Sequence, residues 1–434
     1  MLAAVPSGAH TASSECDTSL RWLIQSHDFP QAFRCAEQQF TNNPEDMDAL
    51  LVMARAAQEL GRVELADNLA KEARNRTLTT GQRFAAYLIS GISQAQQMHF
   101  VTAKALLYRA SDFAQADAEV RVVRHTLDQI NSSSPWRFGA SISVLPSTNI
   151  NGGSLHDTIN LGGFEFVLDD DAKAQSGVAY SASAEATHQT RLSAQTIWEN
   201  RFSLAGTAYD GRGRNNAGYT VTSGLRHTPE TRRPMLLYGY LRYDQRYVAN
   251  DIAGAIVGAY SPYYSQTTAG LELHRNPSRT SAWKVYGTLT DRQSDTSAVH
   301  NAQIGTLGAT YRFAVNSDLE IAFGGYVQRT DGASNLASHA TNLSLGGTWD
   351  PKGVPFTFSG NLNYTHTQYT YTQTGYSEAR VDDDVKLELS FAYDNFQFFG
   401  LKPSFGASLS RDFSNLNRYD TQNAQIFTRL SAAF

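Results

Sequence analysis

Residues Ala424–Phe434 read AQIFTRLSAAF. Taken alternately, Ile426, Leu430, Ala432 and Phe434 fall on one face, with Thr428 the polar exception. Phe427, Arg429, Ser431 and Ala433 fall on the other. A period of two is that of a strand, whose side chains point to opposite faces in turn. A last strand with an apolar outer face and an aromatic end needs cover. In an outer-membrane β-barrel lipid supplies the cover, and the first strand pairs the open edge. An ordinary strand closing a soluble sandwich would read the same way in isolation, so the rest of the chain has to decide.

Composition points to the barrel. A chain of 434 residues exceeds one ordinary domain. Charged residues make up only 18 % of it, the net charge is −5 and the mean hydropathy is −0.38. No run approaches the ~20 apolar residues of a spanning helix, which excludes a bundle of transmembrane helices. Low charge, 21 Tyr, 22 Phe and 32 Gly without an apolar run suit strands that face lipid on one side. The charge balance gives no basis for nucleic acid as a partner. Residues 1–16 are expected to be unstructured or a signal remnant, because Met1–Ala9 (MLAAVPSGA) lacks a basic start and a long apolar stretch. Glu15 stands where lipidation at Cys16 would want a small residue. Cys16 and Cys35 are the only cysteines, and both a periplasmic disulfide and two unrelated thiols fit the sequence. No metal site is expected from two cysteines and scattered histidines.

Residues 17–130 read as helices. Apolar residues recur at three- and four-residue spacing, as in Leu50, Met53, Ala54, Ala57 and Leu60. Small residues repeat: Ala32, Ala66 and Ala103 are each followed four positions on by Ala36, Ala70 and Leu107, and Ala73 and Ala110 extend two of the units. Gly61 ends one helix, Gly91 lies inside another and Pro44 closes the first unit. This resembles the tetratricopeptide repeat (TPR), with the usual aromatic positions taken by residues such as Leu50 and Ala57. Such arrays hold extended peptides on a concave face. Arg55, Arg62, Arg74 and Arg76 would line that face or form a solvated surface.

Residues 131–135 (NSSSP) form a linker. From Trp136 to Phe434 the period is two. Trp136, Phe138, Ala140, Ile142 and Val144 alternate with Arg137, Gly139, Ser141 and Ser143. Similar segments recur to the end of the chain, about fifteen in all by this reading. A closed barrel from the bacterial outer membrane takes an even number, so fourteen or sixteen antiparallel strands are expected. Tyr209, Tyr243, Tyr247, Tyr260, Trp283, Trp349, Tyr369 and Tyr393 lie near strand ends and suit interfacial girdles. A propeller would show a repeat per blade, and none is visible.

Signals for chemistry are weak. Asp169–Asp171 and Asp382–Asp384 read as solvated acids at strand ends. His188, His227, His274, His300 and His366 show no spacing that joins a nucleophile, a base and an orienting group. No enzyme activity and no cofactor are expected. Arginines within strands, namely Arg137, Arg191, Arg201, Arg226, Arg242, Arg246, Arg312 and Arg329, would cost a few kcal/mol in mid-membrane lipid and are expected in the lumen or at an interface. Arg242 and Arg246 share a face and are candidates to line a channel with Glu272 and Glu320.

Trp136–Gly153 (WRFGASISVLPSTNINGG) is similar to the opening of the barrel in the Slam family, the surface lipoprotein assembly modulators. The match centres on Trp136 and on Asn149, Ile150 and Asn151. The resemblance implies a fourteen-stranded barrel that assists secretion or surface display of particular client proteins, lipidated or soluble, some of them related to haem or metal. It implies a bacterial outer-membrane location with the helical domain in the periplasm, and it brings no catalytic residue. Partners expected on this reading are a client protein, outer-membrane lipid, periplasmic chaperones and the barrel assembly machinery, which would read Phe434. An exporter of exopolysaccharide and a passive porin are the alternatives. Deleting Phe434 is expected to reduce the assembled, heat-modifiable form in outer-membrane fractions; unchanged assembly would remove the terminal-signal reading.

Overall fold

The computed structural model describes Cys16 and residues 19–76, 78–210, 215–230, 235–249, 260–278, 280–297, 300–333, 335–393 and 401–433. The expected N-terminal segment apart from Cys16, and Phe434, lie outside the described residues. The chain divides into a helical unit ending at Ser134 and a barrel unit beginning at Pro135.

The helical unit contains α1 (Leu20–Gln25), α2 (Phe29–Asn42), α3 (Met47–Glu59), α4 (Val63–Arg74), α5 (Thr80–Gln96), α6 (Phe100–Asp112) and α7 (Asp117–Ser133). Side chains start several of them. Asp28 and Asp46 accept from backbone N–H groups of the first turn, and Thr79 with Gln82 forms a capping box. The recurrent small residues are the packing surface: Ala32, Ala36, Ala66, Ala70, Ala73, Ala103 and Ala110 are fully buried. Gly91 lets α6 approach α5 closely, since a Cβ there would stand 2.7 Å from Leu107. Gln58 is buried and donates to the Ile89 carbonyl (2.9 Å) and to Ser93 Oγ (2.8 Å), which ties α3 to α5. The arginines expected on the surface are held. Arg62, Arg74 and Arg76 stack over Phe33, Tyr87 and Phe40, and Arg55 pairs with Glu59 at 2.5 Å. Cys16 and Cys35 form a disulfide, which closes the question the sequence left open.

The barrel unit is a closed antiparallel sheet of fourteen strands. They are β1 (Trp136–Ser147), β4 (Gly177–Arg191), β5 (Thr196–Asp210), β6 (Asn216–His227), β7 (Met235–Ala249), β8 (Tyr260–Arg275), β9 (Ser281–Ser294), β10 (Ala302–Ala314), β11 (Leu319–Gly332), β12 (Ser338–Trp349), β13 (Phe356–Thr372), β14 (Ala379–Tyr393), β15 (Lys402–Ser414) and β16 (Thr421–Ala433). Two further short strands, β2 (Thr158–Leu161) and β3 (Phe164–Val167), form a separate hairpin between β1 and β4. Of the expected fourteen or sixteen strands, fourteen form the barrel, and the hairpin is an element the sequence reading did not separate. Asp382–Asp384 also lie inside β14 rather than at its end.

Closure is made by β1, which pairs with β4 on one side and β16 on the other. Gly139↔Ala433 through Val144↔Thr428 pair in register. The ladder lapses at Leu145 and Pro146, where proline has no N–H, and resumes at Ser147↔Gln425. The two faces of β16 separate as its alternation requires: Ile426 is 64 % exposed on the outside, whereas Phe427 is 5 % exposed, with Arg429 stacked over it. Large apolar side chains with high exposure repeat on the outward faces of β7 to β12, namely Leu241, Leu271, Leu289, Leu307, Val327 and Leu343. Within the expected girdle, Tyr209 and Tyr369 fall on the lumen parity, paired with Ala179 and Ser338.

The disulfide encloses α1 and the start of α2, a loop for which chain entropy predicts a contribution of about 3 kcal/mol. Cys35→Ser, or a reductant, is expected to lower the melting temperature of the helical signal in circular dichroism while the strand signal is unchanged. An unaltered helical melt would contradict this.

Candidate functional site

The alternation of each strand defines the lumen. On β7, Leu241 and Tyr243 face outward, so Arg242 and Arg246 face inward. On β8, Glu272 lies opposite in parity to Leu271 and between Tyr238 and Tyr286 in register. On β11, Glu320 alternates with the outward Phe323 row. The four proposed lumen charges thus share the inner face but do not meet one another. Arg242 pairs with Asp244 (2.8 Å), Glu272 with His274 (2.7 Å) and Glu320 with Arg312 (3.3 Å). Arg246 packs its Cδ near Gly218. Arg137, Arg191, Arg201, Arg226 and Arg312 share the inner parity. Arg329 is the outward exception, at the end of β11 and paired with Asp331 at 3.0 Å.

A denser cluster was missed by sequence reading. Glu199 is 1 % exposed and accepts from Gln189 Nε2 (2.6 Å), with Arg226 at 3.1 Å and Arg201 at 3.6 Å. The signal was available, since Glu199 and Arg201 are two apart on a strand and share a face. Beside it, inward tyrosines lie flat on glycines of the next strand. A Cβ on Gly270 would stand 2.3 Å from the Tyr240 ring, and one on Gly308 2.4 Å from the Tyr286 ring. The wall is therefore polar and aromatic, and Glu199, Arg242, Glu272 and Glu320 on it are paired.

The Asn149–Asn151 motif builds the mouth at the far end of β1. Asn149 is buried, and its Nδ2 donates to the Gly153 carbonyl (2.9 Å) and the Gln422 carbonyl (3.1 Å). Asn423 Oδ1 accepts from Ser147 Oγ (2.7 Å) and from the Asn149 N–H (3.1 Å). On the other side, Asn151 Nδ2 donates to the Lys173 carbonyl (2.7 Å), and its Oδ1 accepts from the Gln175 N–H (3.0 Å). Ile150 rests against Gly177 at the start of β4. The motif thus binds β1 to both its neighbours, β16 and β4. Gly153 has no room for a side chain, because a Cβ would stand 2.2 Å from the Lys173 backbone. Trp136, at the opposite end of β1, faces outward, 45 % exposed, stacked on Phe138 and 4.5 Å from His188. An outward Trp at a strand end is the kind of residue that outer-membrane barrels carry in their interfacial girdles.

Beyond the motif, Ser154 Oγ donates to the Asn417 carbonyl (2.6 Å), and His156 Nε2 meets Asp420 Oδ2 at 2.7 Å. Burial alone would push the Asp420 carboxyl up. Hydrogen bonds from Arg411 and His156 outweigh it and hold the group below its ordinary value of 3.8. A depressed carboxylate stabilises the fold above its ordinary pKa, and the contribution is lost as pH falls through the folded value. Protection of segment 148–176 from protease is therefore expected to hold from neutral pH to about 4 and to fall below that, with the acid step absent in Asp420→Asn. Loss of protection near pH 7 would contradict the assignment.

No curated protein matches the chain. Among solved structures, an outer membrane channel of Pseudomonas putida F1 shares 12 % identity at a TM-score of 0.34, covering 69 % of this chain and 96 % of that one. The outer membrane channel DcaP of Acinetobacter baumannii shares 10 % at a TM-score of 0.40, with the same coverage of 69 % and 96 %. The TPR2B domain of yeast Sti1 shares 16 % at a TM-score of 0.24, covering 26 % of this chain and 91 % of that one. At these TM-scores the three carry no functional argument. The family described as "Surface lipoprotein assembly modifier" matches residues 136–434. A closed barrel, apolar without and polar within, is an architecture of the bacterial outer membrane. Since the match runs from the first residue of β1 to the end of the chain, the protein belongs to the surface lipoprotein assembly modifier family.

Proposed function

We propose that this protein helps particular client proteins, lipidated or soluble, reach the cell surface across the outer membrane, with the helical unit engaging the client in the periplasm. The observation that carries the reading is the family match across the whole barrel. The lumen supports it physically. A polypeptide in transit carries backbone N–H and C=O groups that lipid cannot satisfy. The inner face offers hydroxyl, amide and paired charged groups in their place. On this reading Arg242, Arg246, Glu272 and Glu320 contribute to the hydrated wall, and Asn149, Ile150 and Asn151 hold the mouth in shape. Phe434 serves assembly of the barrel by its machinery and chaperones. The helical array would receive an extended stretch of client, in the manner of repeat arrays generally. The chemistry asked of the chain is passage, and no catalytic step is assigned to it.

The test is surface exposure of a lipoprotein encoded beside this chain, measured by protease treatment of intact cells. The client is expected outside only when this protein is present. Removing residues 19–130 while keeping the barrel is expected to reduce display at least about tenfold, a coupling of ~1.4 kcal/mol or more. Equal display without the protein would overturn the reading. Full display by the barrel alone would overturn the role of the helical unit.

A further inference from the structure

Lipid accounts for the apolar side chains on the outer faces of the barrel strands. It does not account for those on the β2–β3 hairpin, in the long connection between β1 and β4. Phe164, Phe166 and Val167 are 71, 49 and 77 % exposed, and every residue of β3 is exposed. Isolated exposed apolar residues are ordinary, but a cluster on one strand marks an interaction site.

The hydrogen-bond pattern shows which edge is open. The Leu168 N–H donates to the Asp157 carbonyl (2.8 Å), so Ile159↔Phe166 and Leu161↔Phe164 are the hydrogen-bonded pairs. The backbone groups of Thr158 and Asn160 on β2, and of Glu165 and Val167 on β3, therefore point away from the hairpin. The β2 side is braced. Asn417 Nδ2 reaches the Thr158 carbonyl (3.5 Å), the Gly162 N–H donates to the Gly375 carbonyl (2.7 Å), and Ile159 is 7 % exposed. Among the described residues, nothing meets the outward backbone groups of β3.

Charge selects the occupant. Asp157, Glu165, Asp169, Asp170 and Asp171 lie on or beside the hairpin, against two cations: Lys173, which already lies 3.1 Å from Asp157, and Arg418 in the 417–419 turn that packs against β2. An anionic lipid headgroup would be repelled, and a second copy of the chain would set Glu165 near its own like charge. We propose that β3 is a docking edge for an extended client segment, added as a third strand, with apolar residues alternating with Lys or Arg. Main-chain hydrogen bonds to Glu165 and Val167 would hold the segment, Phe164 and Phe166 would cover its apolar side chains, and the carboxylates would pair its cations. This deepens the translocation reading and rests on it.

The experiment uses the purified full chain in detergent, with short fluorescent peptides of alternating Lys and Val, or of alternating Glu and Val, as probes in an anisotropy titration. The Lys/Val peptide is expected to bind about tenfold more tightly than the Glu/Val peptide, a difference of ~1.4 kcal/mol. Val167→Pro removes an outward N–H and is expected to weaken the Lys/Val peptide by a similar factor. Glu165→Lys with Asp169→Lys changes only exposed side chains and should reverse the preference between the peptides. Heat-modifiable migration reports the fold of each variant. Failure of the Lys/Val peptide to bind, equal binding of both peptides, or full binding by both variants overturns the proposal. So does a finding that the variants lose binding to vesicles of anionic lipid instead of to peptide. The assay contains no client, so its failure leaves the translocation reading to the display test.

Discussion

An unpaired backbone amide has no partner in hydrocarbon, and this one constraint organises the barrel. Each strand must find two neighbours, so the last strand must return to the first. The pairing of β1 with β16 discharges that requirement from Gly139 to Val144 and again at Ser147. Pro146 interrupts it, and the interruption lies next to the Asn149–Asn151 motif. The motif's amides reach across to Gln422 and Asn423 on β16 and to Lys173 and Gln175 ahead of β4. Side-chain amides thus secure the end of the strand on which closure depends. A motif that carries a family resemblance in sequence is, in structure, a clamp.

Once the sheet is closed, the period of two separates the chemistry. Leucines, valines and many aromatics face lipid, while most arginines and carboxylates, with tyrosines such as Tyr240 and Tyr286, face inward. The inner charges are matched locally, as in Glu199 with Arg226 and Arg201 or Arg242 with Asp244. The long connection between β1 and β4 departs from this scheme. It is acidic, it is pinned to segment 415–420 through Ser154 and His156, and it carries an apolar hairpin that neither lipid nor the lumen wall explains. The helical unit follows a different rule, in which small residues at repeat positions let helices approach and arginines lie over aromatic rings.

Much of this was legible from residues alone. Ile426, Leu430 and Ala432 mark an outward face by spacing, and Ala66, Ala70 and Ala103 mark packed helices. Of the eight strand arginines singled out in the sequence, seven fall inside, because lipid excludes them, and Arg329 escapes that rule at a strand end beside Asp331. Other features were not legible. Asp383 breaks the alternation of β14 and is tolerated because Tyr364 (2.6 Å) and His366 (2.9 Å) satisfy it from β13, a cross-strand arrangement that register alone reveals. The β2–β3 hairpin is too short for a periodic signal. Glu199 reads as one more strand carboxylate until the sheet brings Gln189 and Arg226 to it. Pairing of Cys16 with Cys35 needed the helices in place.

That adjacent residues of one strand face two different media is the defining property of this barrel. It is tested most directly by nitroxide labels at Leu289 and Thr288 on β9, read in lipid bilayers by their collision with oxygen and with a water-soluble nickel chelate. Leu289 is 72 % exposed on the outer face, whereas Thr288 shares the inner parity. The label at 289 is expected to meet oxygen and to be shielded from nickel, and the label at 288 to meet nickel. Equal accessibility at the two positions, or the reverse order, would contradict the barrel assignment and everything built on it.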